Sequence, residues 1–170
     1  MQKHNKKMKI FVTKEYLQEC SVKIKELQEA LEAIRQDKNT AFEGDTNTWH
    51  DNFAYENATR EEKLAEDRLF KAMKDMENYT VFSAVVPDNP KVVGMYCWVK
   101  VIEENIANAK TQEKTIGLVP LGAQDLKNKI YSYNAPVVAP LMGAKVGDER
   151  TVKIPIGTFK LTVLDIQNMR

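Results

Sequence analysis

The stretch EGDTNTWHDNFAY, Glu43 to Tyr55, separates two long heptad runs. Before it, Leu17, Cys20, Ile24, Leu27, Leu31, Ile34, Lys38 and Ala41 recur at alternating spacings of three and four; after it, Tyr55, Ala58, Glu62, Ala65, Leu69, Ala72, Met76 and Tyr79 do the same. That spacing puts one stripe of each helix against a partner. A short polar link between two such runs favours an antiparallel pair, with the link at its far end. A helix from Lys14 to Ala41 would be about 40 Å long at 1.5 Å per residue. Lys23, Lys25, Glu26, Glu29, Glu32 and Arg35 fall off the stripe, as expected of a solvated face. The opposing run offers Ala58, Ala65 and Ala72, small enough for the two backbones to approach closely. Lys38 and Glu62 interrupt the stripe near the link, so the far end is expected to be held less firmly.

The pattern changes at Tyr79. From Thr80, short β-rich runs follow: Val81 to Val86, Val92 to Ile102, Thr115 to Pro120, and Phe159 to Val163 with clear alternation. Gly and Pro punctuate them, whereas the helical runs carry neither. Lys9 to Val12 reads as a short extended segment before a helix capped by Thr13. Asn134, Ala135 and Pro136 look like a helix start that would bury Val137, Val138, Leu141 and Met142 and end at Gly143, kept short by Pro140. The expected fold class is therefore α+β. An N-terminal antiparallel α-helical coiled-coil hairpin spans residues 1–79 and a small β-rich domain spans residues 80–170.

With 25 Lys and Arg against 24 Asp and Glu, the net charge of +1 gives no whole-chain signal for nucleic acid. The charge is local: Lys3, Lys6, Lys7 and Lys9 are basic, and Glu61 to Asp67 is mostly acidic. No apolar run approaches the roughly 20 residues that span a bilayer, and the amino end lacks the apolar centre of a signal peptide. A cytoplasmic protein without membrane association is expected. Cys20 and Cys97 are too few and too differently placed for a disulfide framework or a zinc site.

The link is where chemistry could reside. Glu43, Asp45, His50 and Asp51 are its polar groups and Trp49 its large apolar one. No nucleophile triad, phosphate-binding glycine loop or His/Cys metal spacing accompanies them, so a self-contained active site is not expected. Two or three carboxylates could share Mg²⁺, which takes six oxygens at about 2.1 Å, if a partner or water supplied the other ligands. A purely structural account competes with this, since Asp51 and Asn52 precede a helix and can cap it, and Gly44 with Asp45 is ordinary turn chemistry. Trp49 and Phe53 either fold back over the helix pair or meet a partner. Lys14, Arg35 and Lys38 lie on the first helical run, where a solvated helix face accounts for each.

The layout resembles the GreA/GreB family of bacterial transcript cleavage factors from Lys9 to Ile166. In that family an antiparallel coiled coil carries an acidic tip, Gly-Asp-x-x-Glu-Asn-x-x-Tyr, before a small FKBP-like β-rich domain. Gly44, Asp45, Asn52 and Tyr55 match that pattern, and Asp51 stands where the family has Glu. The segment Tyr131 to Lys145, YSYNAPVVAPLMGAK, followed by Val146 to Asp148, is similar to the family's Ser-x-Asn-Ser-Pro-x-Ala-x-x-Leu-x-Gly. Two departures stand out: TNTWH separates Asp45 from Asp51 where the family has two residues, and Ala139 replaces a family Arg.

The resemblance implies an accessory factor, not an enzyme, that acts as a monomer. Its hairpin would enter the secondary channel of bacterial RNA polymerase, and DNA binding is implied with it. Asp45 and Asp51 would be the acids acting in trans near the nascent RNA 3′ end. They would help hold a Mg²⁺ shared with the polymerase, with no cofactor of the factor's own. Glu43, Trp49, His50, Asn52 and Tyr55 are further tip contacts. The longer tip leaves open a channel-binding regulator that inhibits without cleavage. A chaperone or prolyl isomerase would need an aromatic-lined pocket, and no aromatic cluster is evident in the carboxyl half.

Overall fold

The computed structural model describes residues 9–43 and 53–169. The chain divides into two units, Met1–Ile10 with Glu15–Thr80, and Phe11–Lys14 with Val81–Arg170. Phe11–Lys14 thus group with the β-rich part, although in sequence they lead into the first helix.

In the helical unit, α1 runs Lys14–Glu43 and α2 runs Phe53–Met76. At 30 and 24 residues they are about 45 and 36 Å long. Their cross-contacts step in opposite directions along the two sequences. Tyr16 and Tyr79 have ring centroids 5.8 Å apart, Ser21 Oγ lies 3.8 Å from Met76 Sδ, and Arg35 reaches Glu62 and Glu66. As one number rises the other falls, so the pair is antiparallel. Burial follows the heptads residue by residue. Leu17, Cys20, Ile24, Leu27, Leu31, Ile34 and Lys38 face inward on α1, and Tyr55, Ala58, Glu62, Ala65, Leu69, Ala72 and Met76 on α2. Only Leu31 and Ala65 of these are fully buried, because two helices alone close a seam from one side each. At the end of α2, Asn78 Nδ2 donates to the Lys74 carbonyl at 3.0 Å, satisfying a group that helix termination leaves free.

β1 (Ile10–Val12) and β2 (Tyr79–Val81) form a two-stranded sheet. The second sheet contains β3 (Cys97–Asn105), β4 (Lys110–Val119), β5 (Ile130–Ser132), β6 (Glu149–Ile154) and β7 (Gly157–Asn168), in the order β5-β4-β3-β7-β6. β4 and β5 are parallel and the other neighbours antiparallel. Along β3 the alternation is clean, with Cys97, Val99 and Val101 inward and Lys100 outward. Cys97, Val99 and Val101, with Leu118, Leu161 and Val163, pack with Val93, Val138, Leu141 and Ala144 in one core.

Several expected elements differ. Val81 is the only residue of Val81–Val86 that stays in a strand, and residues 82–96 are irregular, since Pro87 and Pro90 offer no ladder donor. β4 begins five residues before Thr115 because ion pairs across the strands, Lys100 with Glu113 at 2.8 Å and Lys114 with Glu103 at 2.6 Å, support a polar sequence. β7 extends past Val163 to Asn168, through a bulge that leaves Leu164 without a partner in β3.

The expected helix after Asn134 is a run of tight turns ending in one 3-10 turn, Ala139–Leu141. Pro140 removes the N–H that would bond residue 136, and its ring crowds that carbonyl, so an α-helix cannot propagate. Asn134 does not cap it; its Oδ1 accepts from Ser132 Oγ at 2.6 Å. Burial of Val138 and Leu141 survives the change in backbone, and Gly143 takes the positive φ of 75° that ends the segment.

Candidate functional site

The heptad stripe carries two ionisable side chains, Lys38 and Glu62, into the part of the seam nearest residues 44–52. Lys38 Nζ lies 2.7 Å from Glu62 Oε2, and Arg35 Nε donates to Glu62 Oε1 at 2.9 Å. The other arm of the guanidinium donates to Glu66 Oε1 at 2.7 Å. Each oxygen of the Glu62 carboxylate thus accepts from a different cation. The Lys38 ammonium also stands 5.3 Å from the centroid of the Tyr55 ring, within cation–π range. Hydrogen bonds from Lys38 and Arg35 hold the Glu62 carboxyl below the usual carboxylate range. The bond to Glu62 in turn raises both cations above their ordinary values.

This corrects the expectation that Lys38 and Glu62 loosen the far end. The long side chains converge across the seam and satisfy one another, with 22% and 17% of their surface left exposed. It also places Arg35 and Lys38 across the seam, engaged with carboxylates on α2. The signal was present in the sequence: an antiparallel register that sets Ser21 beside Met76 also sets Arg35 opposite Glu62. Only the paired helices reveal that register.

Of the residues singled out in the link, Asp45, Trp49, His50, Asp51 and Asn52 lie outside the described residues. Glu43 is the last residue of α1. Tyr55 is half-buried in the first turn of α2, and its carbonyl accepts from Thr59 Oγ1 at 2.8 Å. Phe53, which opens α2, is 73% exposed, so this ring does not fold back over the helix pair. Among the described residues, no three His, Cys, Asp or Glu side chains are grouped to hold a metal ion. Both cysteines are free, Cys97 buried and Cys20 half-buried.

The β unit does hold an aromatic cluster, contrary to the sequence reading. Phe11 packs against Phe82 at 5.9 Å and Tyr133 at 6.1 Å, and Phe82 against Tyr96 at 5.8 Å. The Phe11 N–H donates to the Tyr133 hydroxyl at 2.9 Å. These rings lie far apart in sequence and meet only on folding. A cavity of about 280 Å³ opens beside Phe82, Val86, Pro87, Pro90, Met95 and Met142. Phe82 is its single aromatic ring and Lys91 its single charged side chain, among aliphatic and sulfur side chains, so it is a mainly apolar hollow and not an aromatic cage.

Residues 87–168 match the family described as "Transcription elongation factor, GreA/GreB, C-term". Transcription elongation factor GreA of Christiangramia forsetii is 31% identical over 116 residues, covering 68% of this chain and 70% of its own. The chain belongs to the GreA/GreB family. GreA of Thermosipho africanus is 28% identical over 166 residues, 95% of this chain and 99% of that protein, so the similarity to GreA reaches the helical unit as well. Among solved structures, GreA factor homolog 1 (Gfh1) of Thermus thermophilus aligns with 94% of this chain and 99% of its own, at TM-score 0.40 and 17% identity. GreA/GreB proteins are transcription elongation factors. No helix among the described residues is long and apolar enough to cross a membrane.

Proposed function

We propose that this chain binds bacterial RNA polymerase, sends its helical hairpin into the secondary channel, and uses Asp45 and Asp51 to stimulate the polymerase's own cleavage of backtracked nascent RNA. The reading is supported chiefly by the placement of these acids between the ends of an antiparallel helix pair in a GreA/GreB chain. Asp45 is two residues beyond Glu43, and Asp51 two residues before Phe53. Two carboxylates are hard oxygen donors suited to Mg²⁺, but they supply only part of its six ligands. The metal therefore belongs to the polymerase, where it stabilises charge on the attacking and leaving oxygens of the displacement. The protein's part is to deliver negative charge and to orient water near the RNA 3′ end, as a cytoplasmic monomer.

A second reading, a channel-binding regulator that slows transcription without cleavage, is favoured by one observation. Asp45 and Asp51 are separated by TNTWH, three residues more than in the family pattern. A displacement of about 1 Å can cost about a hundredfold in rate. Adding the protein to stalled, backtracked complexes distinguishes the two. Release of short 3′ RNA fragments that disappears with Asp45→Ala/Asp51→Ala supports cleavage. Slowed elongation with no fragments supports the regulator, and equal cleavage by the double variant excludes the role given to the acids.

A further inference from the structure

The position of the link depends on how far α1 and α2 are slid along one another. The apolar seam determines this poorly. Ala58, Ala65 and Ala72 occupy part of its α2 side, beside Tyr55, Leu69 and Met76, and most of the stripe is only half-buried, so a slide costs less apolar contact than it would in a closed core. Polar pairing on a seam behaves differently, because it is satisfied in one register and unsatisfied in the others. Here the bonds from Lys38 to Glu62, Arg35 to Glu62 and Arg35 to Glu66 are 2.7, 2.9 and 2.7 Å long. A slide of one turn, about 5.4 Å, breaks all three.

The network also lies close to the link. Lys38 is five residues before the end of α1 and Glu62 nine after the start of α2. These intervals correspond to about 7.5 and 13.5 Å along the helices. Lys38 additionally meets Tyr55, in the first turn of α2, so the network engages the start of that helix.

We propose that Glu62, clamped by Lys38 and Arg35, is a positioning residue: it locks the register of the two helices and thereby sets where their ends hold the tip acids. The proposal rests on the reading that Asp45 and Asp51 act in RNA cleavage. Glu62 touches neither RNA nor metal; its effect passes through the backbone of α1 and α2. Removing its charge should spare binding to the polymerase and reduce the chemical step.

The test measures fragment release from backtracked complexes over a range of factor concentrations. It uses the full chain, Glu62→Gln and Asp45→Ala/Asp51→Ala, at equal helix content by far-UV circular dichroism. Glu62→Gln should lower the rate at saturating factor about tenfold and leave the half-saturating concentration within about twofold. A saturating rate unchanged within about twofold overturns the proposal, as does a defect confined to the half-saturating concentration. If the unaltered chain releases no more fragments than Asp45→Ala/Asp51→Ala, the cleavage reading itself fails. The lock is then judged on register alone, with nitroxide labels at Gln36 and Glu61. A distance distribution that shifts or broadens in Glu62→Gln upholds it, and an unchanged one overturns it.

Discussion

Replacing Leu31 by Ala asks how much of the hairpin's stability one seam residue supplies. Leu31 is 6% exposed on α1, and nearly all of its side chain is removed from water between the helices. Leu→Ala deletes about three methylene equivalents at about 0.8 kcal/mol each, or about 2.4 kcal/mol of transfer free energy. The cavity contribution should be small, because the adjacent seam residues are half-exposed and can settle into the gap. The expected loss is about 2 to 3 kcal/mol, at the lower end of the 2 to 5 kcal/mol typical of buried Leu→Ala changes. Urea unfolding followed at 222 nm measures it, since α1 and α2 are the only α-helices among the described residues. Val22→Ala serves as the control. Val22 is 59% exposed on the outer face of α1, and its replacement should change stability by less than about 0.5 kcal/mol. A shift below about 1 kcal/mol for Leu31→Ala, or one no larger than that of Val22→Ala, would refute the account of the seam as the main source of hairpin stability.

Two further outcomes follow from the structure. Burial, followed by the neighbouring Tyr79, pushes the Tyr16 hydroxyl up to about 12, so its neutral form is favoured in the folded state. A raised folded pKa means the stabilisation is complete below the ordinary value of about 10 and declines as pH rises from about 10 towards 12. Phenolate absorbance at 295 nm should show one late-titrating tyrosine that Tyr16→Phe removes, and loss of a group titrating near pH 10 instead would contradict the assignment. In β4, a Cβ on Gly117 would stand 2.5 Å from Met169 Cε and 3.1 Å from both Ile130 Cγ1 and Trp98 Cζ3. Met169 can swing aside but Ile130 and the Trp98 ring must shift, so Gly117→Ala should destabilise the β unit by about 1 to 3 kcal/mol. Gly94→Ala, where nothing lies within 4 Å, should change it by less than about 0.5 kcal/mol; equal thermal shifts for the two would show that crowding is not the cause.

The heptads were legible because a helical stripe is a local property. Leu17 to Lys38 and Tyr55 to Met76 declared their inward face through spacing alone, and each turned inward. The link between them could be located for the same reason, without knowing what packs against what, while its acids Asp45 and Asp51 lie outside the described residues. Less visible were features that depend on distant partners. β5 is three residues long and exists because β4 offers a parallel neighbour. The polar start of β4 is held by charges on β3. The aromatic cluster gathers Phe11, Phe82, Tyr96 and Tyr133 from four separate segments.

Lys38 and Glu62 mark the boundary between the two kinds of information. Sequence alone determined that both occupy the seam, because 3.5-residue periodicity assigns each side chain a face whatever its partner. It also determined the two helices and the change to β structure near Tyr79. The tertiary structure alone decided that Lys38 and Arg35 converge on one carboxylate and close a polar lock where a weak point had been expected. Whether a charge in a seam loosens or fastens depends on the atoms opposite it, and those are brought there by the register of the whole helix pair.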